Sequence, residues 1–98
     1  MIGWAIQHIP TGGFLPVPHG RGGRGGTHVE PTQVEFPRIF VSKAAASCAL
    51  TNWLAGKITV SQTQSYEGEW DESWHTERVD SRRAEDMRVV ALKVEIVE

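Results

Sequence analysis

The densest concentration of potential chemistry in the chain is His19-Gly-Arg-Gly-Gly-Arg-Gly-Gly-Thr-His-Val-Glu-Pro31, where five glycines, two arginines and two histidines fall within thirteen residues. Each glycine raises the entropic cost of ordering the backbone, so a folded segment of this composition needs something that uses its bare amides. Consecutive amides at Gly22, Gly23, Gly25 and Gly26 can form an anion-binding nest. Arg21 and Arg24 would add bidentate donors to phosphate oxygens, with His28 beside them. An anion, a nucleic acid and a partner surface all satisfy that description, and a solvated surface loop with no ligand does so equally well. Gly20 to Gly25 also matches G-x-G-x-x-G, but that fingerprint works between a strand and a helix, and Pro16, Pro18 and Pro31 flank it here. No Lys-Ser or Lys-Thr follows the glycines, which excludes a nucleotide-hydrolase phosphate loop. The two Arg-Gly-Gly repeats resemble RNA-binding segments in miniature, against an acidic remainder of the chain.

A second candidate lies in Tyr66-Glu-Gly-Glu-Trp-Asp-Glu-Ser-Trp74. Aromatic rings set among carboxylates bury large areas while their charges steer a basic partner, which makes Tyr66, Trp70, Asp71, Glu72 and Trp74 candidate partner-binding residues. A solvated hairpin loop with its aromatics folded inward is the competing reading.

Catalysis and metal binding find less support. His8, His19, His28 and His75 have no ligand spacing, and no H-E-x-x-H occurs. His28-Val-Glu30 copies the H-x-E of zinc deaminases, but the P-C-x-x-C those enzymes require is missing. His8 and His28 read as structural histidines bonded to loop carbonyls. Cys48 is the single cysteine, expected to be a buried, inert thiol in a helix; it rules out an internal disulfide and fits a reducing compartment. No nucleophile elbow or oxyanion signature organises the Ser, His and Asp residues. The expectation is a protein without enzymatic activity and without a cofactor.

With 98 residues, 40% hydrophobic and 22% charged, the chain has the size and composition of one globular domain. No apolar run reaches the roughly 18–20 residues of a membrane span, and no signal-peptide pattern opens it, so a cytoplasmic location is expected. The formal charge of −2 hides an asymmetry: residues 1–43 hold four basic against two acidic side chains, and residues 44–98 hold six against ten. A net-acidic chain is a poor general binder of phosphate backbones, so any anion site has to be local.

These residues must be positioned by a small set of elements. Gly3 to Ile9 reads as a first strand, closed by the turn residues Pro10-Thr-Gly-Gly13. Phe14 to Val17 suggests a short continuation confined to an edge by its prolines, and Phe36 to Val41 a second strand. A Gly/Arg/Pro-rich loop over 18–35 lies between. Ser42 is a good N-cap and Gly56 a good C-cap for a helix over 43–55, with Ala46, Ala49, Leu50, Trp53 and Leu54 as its buried stripe. Its opposite face, Ala44, Cys48, Thr51 and Ala55, is small and uncharged. Burial within the fold is the plainer expectation for it, and a homo-oligomer contact the other. Ile58 and Val60 begin a strand, and Val90, Leu92, Val94 and Ile96 form the clearest one. Between them, 64–86 reads as an acidic-aromatic loop with a helical turn within 80–87. The sum is a small α+β domain, an antiparallel or mixed sheet of about three to five strands on one helix. Trp4, Trp53 and the alternating valines are expected to fill its core.

Several of these features recur together in one group of proteins. The opening Trp4-x-Ile6-x-His8-x-Pro10-Thr11-Gly12-Gly13-x-Leu15-Pro16 leads to the box Gly22 to Pro31 and to Pro37-Arg38-x-Phe40. The helix residues Ala45, Ala49, Leu50 and Trp53 ahead of Gly56, and Glu85-Asp86-Met87, complete the pattern. In this order the motifs resemble short uncharacterised accessory proteins of tailed bacteriophages. The resemblance implies a protein that modifies host processes or blunts host defence by binding a host or defence protein. It carries no catalytic motif and implies no activity.

Overall fold

The computed structural model describes residues 1–18, 26–64 and 70–97, with 60–64 and 70–74 entering through their backbone. It is an α+β arrangement of one helix and four antiparallel strands: β1 (Ile2–His8), α1 (Lys43–Ala55), β2 (Lys57–Gln64), β3 (Trp70–Glu77) and β4 (Met87–Lys93). The strands form two separate pairs, β1 with β4 and β2 with β3, in place of one sheet on the helix.

The helix forms where its caps place it. Ser42 is extended (φ −142°, ψ 154°) and its Oγ accepts from the Ala45 amide at 3.1 Å, satisfying one of the donors that a first turn leaves unpaired. Ala46 and Trp53 are buried, and Ala49, Leu50 and Leu54 pack partly buried beside them. This stripe lies on β1 and β4, where Ile6, Leu15 and Met87 complete the core. Trp4, Val29, Phe40 and Val89 pack at its margin, and no described valine is among its buried members, so the core is built by isoleucine, leucine, alanine and methionine around Trp53. Ala44, Cys48, Thr51 and Ala55 are exposed in this chain, as is the Cys48 thiol, which corrects the expectation of burial. No second layer covers that face among the described residues.

β1 is flanked on its other side by single bridges. Trp4 and Phe40 exchange both backbone hydrogen bonds, at 2.9 and 2.7 Å, and Leu15 donates to Ile6 at 3.0 Å. Phe14 then exchanges bonds with Thr32, and Pro16 bridges Pro37. The strands expected at Phe14 to Val17 and Phe36 to Val41 therefore reduce to bridges, because proline has no amide with which to continue a ladder. β4 begins three residues before the expected start and ends at Lys93. Ile2 is opposite Lys93, and once the Val94 amide has donated to Met1 at 2.8 Å, β1 offers no further partner. The helical turn within 80–87 is a 3₁₀ turn, Ala84–Asp86, without a side-chain cap.

β2 and β3 pack principally on each other. Eight residues of the segment expected to be an acidic-aromatic loop are the strand β3, paired in register from Lys57 opposite Glu77 to Gln64 opposite Trp70. At the junction of α1 and β2, Gly56 adopts φ 132°, and a Cβ there would collide with the Glu77 carbonyl. Only glycine allows the helix to turn into the ribbon this sharply.

Candidate functional site

Arg21, Gly22, Gly23, Arg24 and Gly25 lie outside the described residues, as does Tyr66. Of the glycine box the structure describes Gly26 to Pro31, and Gly26-Thr27-His28 has a structural occupation. The Thr27 side chain is buried, and its Oγ1 accepts from the Ile58 amide at 2.9 Å. His28 Nε2 lies 2.9 Å from the Ile58 carbonyl, and since a carbonyl only accepts, that nitrogen donates. Two consecutive side chains thus take both outward backbone groups at the start of β2, where an edge strand would otherwise leave them unpaired. His28, a candidate anion ligand on sequence, is engaged as a clasp on the ribbon.

A third arginine stands at the foot of the box. A Cβ on Gly26 would lie 2.7 Å from Arg38 Nη1, so this guanidinium rests directly against the Gly26 backbone. Arg38 also stacks on the Phe40 ring, 4.6 Å from its centroid, which fixes the plane of the fork. Sequence reasoning assigned Arg38 no role; its neighbourhood with Gly26 depends on the Leu15 carbonyl holding the Arg38 amide at 2.9 Å, a contact no local pattern reveals.

The partner-binding candidates are divided by the ribbon's pleat. Trp70, Glu72 and Trp74 hold alternate positions on one face, across from Gln64, Gln62 and Val60, and Asp71 belongs to the other face with Ser73 and His75. The sequence Trp-Asp-Glu-Ser-Trp-His-Thr-Glu shows no hydrophobic alternation of its own. Its strand is selected by pairing with β2, whose Ile58 and Val60 do alternate.

Arg82 is the residue sequence reasoning missed. Its side chain is only 1% exposed, within the charged run Asp80-Ser-Arg-Arg83 where a helical turn was expected. Nη1 donates to the Trp53 carbonyl at 2.8 Å and Nη2 to Glu30 Oε1 at 2.9 Å, with the Val29 carbonyl 3.5 Å from Nη2. The guanidinium lies 4.2 Å from the centroid of the Trp53 ring, and the Trp53 indole donates to Val29 at 2.8 Å. α1 has no basic residue in its last turn, so Arg82 brings from a distant loop the positive charge that a helix C-terminus favours. Arg82 Nε has no hydrogen-bond partner among the described residues.

Above this cluster lies an open cleft of about 290 Å³, lined by His8, Thr11, Glu30, Ser81, Arg83 and Met87 among others. His8 Nδ1 and Thr11 Oγ1 are 2.8 Å apart on its rim. Among the described residues no group of His, Cys, Asp and Glu is placed to hold a metal ion, and no helix is long and apolar enough to cross a membrane. Comparison with protein-family models, with curated proteins and with solved structures gave no match.

Proposed function

We propose that this is a phage accessory protein that acts without chemistry of its own, in the cytoplasm of the infected bacterium, by binding and modulating or inhibiting a host or defence protein. The observation that supports this reading is the separate β2–β3 ribbon. It is clasped at its base by Thr27 and His28, and no third strand pairs with it among the described residues. Trp70, Glu72 and Trp74 alternate along one face of that ribbon, the composition of an interface whose rings anchor and whose carboxylate steers. A basic, partly apolar surface is the matching partner. The test is a tagged pull-down from bacterial lysate with and without nuclease, run beside the Trp70→Ala, Trp74→Ala double variant. A stoichiometric, nuclease-resistant protein captured by the native chain and lost by the variant supports the proposal. Equal capture by both overturns it.

A second reading, a binder of a nucleotide or nucleic acid through Arg21, Arg24 and the glycine amides, is favoured by the Arg38 guanidinium beside Gly26. Titration calorimetry with a nucleoside triphosphate and with a single-stranded oligonucleotide tests it. Binding abolished in the Arg21→Ala, Arg24→Ala variant supports the reading, and heat unchanged by that variant, or none with the native chain, refutes it.

A further inference from the structure

We propose that two copies of this chain join edge to edge through β4, pairing residues 91–97 antiparallel about Val94. The parity of the hydrogen bonds fixes which groups are available. The Val94 amide donates to Met1, and Gly3, Ala5 and Gln7 of β1 stand opposite Leu92, Val90 and Arg88. On the far side of β1, Trp4 bonds Phe40 and Ile6 accepts from Leu15, so the even residues of β1 face away from β4. The even residues of β4 therefore spend their backbone groups on β1, and Val89, Ala91 and Lys93 turn theirs outward. Among the described residues no strand or bridge pairs with that outward edge.

The segment that follows carries the same pattern into solvent. Val94 to Val97 lies outside any strand, and Ile96 and Val97 are 95% and 89% exposed. An unpaired edge prolonged by exposed β-branched residues is a template for strand addition, and charge is the usual guard against it. Here the guards are Lys93 and Glu95, two residues apart on one face and already in contact at 2.8 Å with both side chains largely exposed. Opposite charges at that spacing select one partner. Pairing two copies about Val94 places Lys93 of each opposite Glu95 of the other, and both residues have outward backbone groups to exchange. On the other face Leu92 meets Ile96 of the second copy across the two Val94 side chains. Ala91 meets Val97 of the second copy. That valine lies beside the apolar cleft of about 340 Å³ formed by Met1, Ile2, Ala91, Leu92 and Lys93, which gives the cleft its occupant. The product is a continuous four-stranded sheet, β1–β4–β4–β1, in which the residues after β4 become strand.

Sedimentation equilibrium of the full chain across a wide concentration range tests this, with circular dichroism to verify folding. Lys93→Glu and Glu95→Lys alter exposed positions and each puts like charges opposite one another, so each weakens the dimer roughly tenfold or more. The double variant Lys93→Glu, Glu95→Lys restores it, as does mixing the two single variants. A native chain that stays monomeric at millimolar concentration overturns the proposal. So does a dimer indifferent to both single variants, or one abolished by Ala44→Glu on the exposed helix face while surviving Lys93→Glu.

Discussion

The body formed by β1, β4 and α1 and the ribbon formed by β2 and β3 are held together by different means. In the body, Ile6, Leu15, Ala46, Trp53 and Met87 exclude water from one another, and the backbone follows. At its base the ribbon is held by its strand ladder, by two side chains on Ile58 and by a glycine that lets Glu77 approach the helix end. Burial is cooperative, since each core side chain supports several others, whereas backbone capping is local, since each bond supports one residue. The body's stability should therefore respond globally to a single change and the ribbon's base locally.

Substitutions rank accordingly. Trp53→Ala removes the largest core ring, the indole bond to Val29 and the surface beneath Arg82, and should cost about 4 kcal/mol in urea unfolding, with loss of the whole transition. Arg82→Met leaves the Trp53 carbonyl at the helix end and Glu30 without the fork and should cost about 3 kcal/mol. Because Glu30 is half exposed, most of that loss comes from the carbonyl bonds and the ring contact, so Arg82→Lys should recover less than half of it. Gly56→Ala forces a side chain against the Glu77 carbonyl at positive φ and should cost about 2 kcal/mol, with the amides of β2 and β3 exchanging faster than those of β1. Thr27→Val keeps the shape and removes the acceptor for Ile58. About 1 kcal/mol should be lost, read as faster hydrogen exchange at Ile58 while the melting of the body shifts little. Cys48→Ser, on the exposed helix face, should change stability by less than about 0.5 kcal/mol, and the native thiol should react fully with a thiol reagent without denaturant. A uniform response of both regions to Thr27→Val would erase the distinction between them.

The same distinction governs what could be read from the residues. α1 was legible to the residue, because Ser42, the buried stripe and Gly56 are local signals that the structure uses locally. β1 was legible for the same reason. β3 was not, since Trp70 to Glu77 has no period of its own and is a strand by virtue of a partner that begins at Lys57. Apolar character at Phe36 to Val41 suggested a strand, but Pro37 leaves only bridges at Pro37 and Phe40. The Gly/Arg box stood out through its composition. The clasp that Thr27 and His28 make on Ile58 did not, because it joins residues about thirty positions apart. Arg82 was invisible for the opposite reason: a charged residue in a charged stretch is ordinarily solvated, and only the fold reveals a helix end and an indole ring waiting for it.

The clasp on Ile58 also ties Thr27 and His28 mechanically to the base of the ribbon. Thr27 and His28 lie within the box, directly after its glycines, and their grip fixes where β2 leaves the body. A ligand that tightens on the box in a way that depends on the position of Thr27 will feel the angle of the ribbon. By thermodynamic reciprocity, a partner that tilts the ribbon will change the affinity of the box by the same factor. Any such coupling between the two segments of most unusual composition would run through the Ile58 backbone.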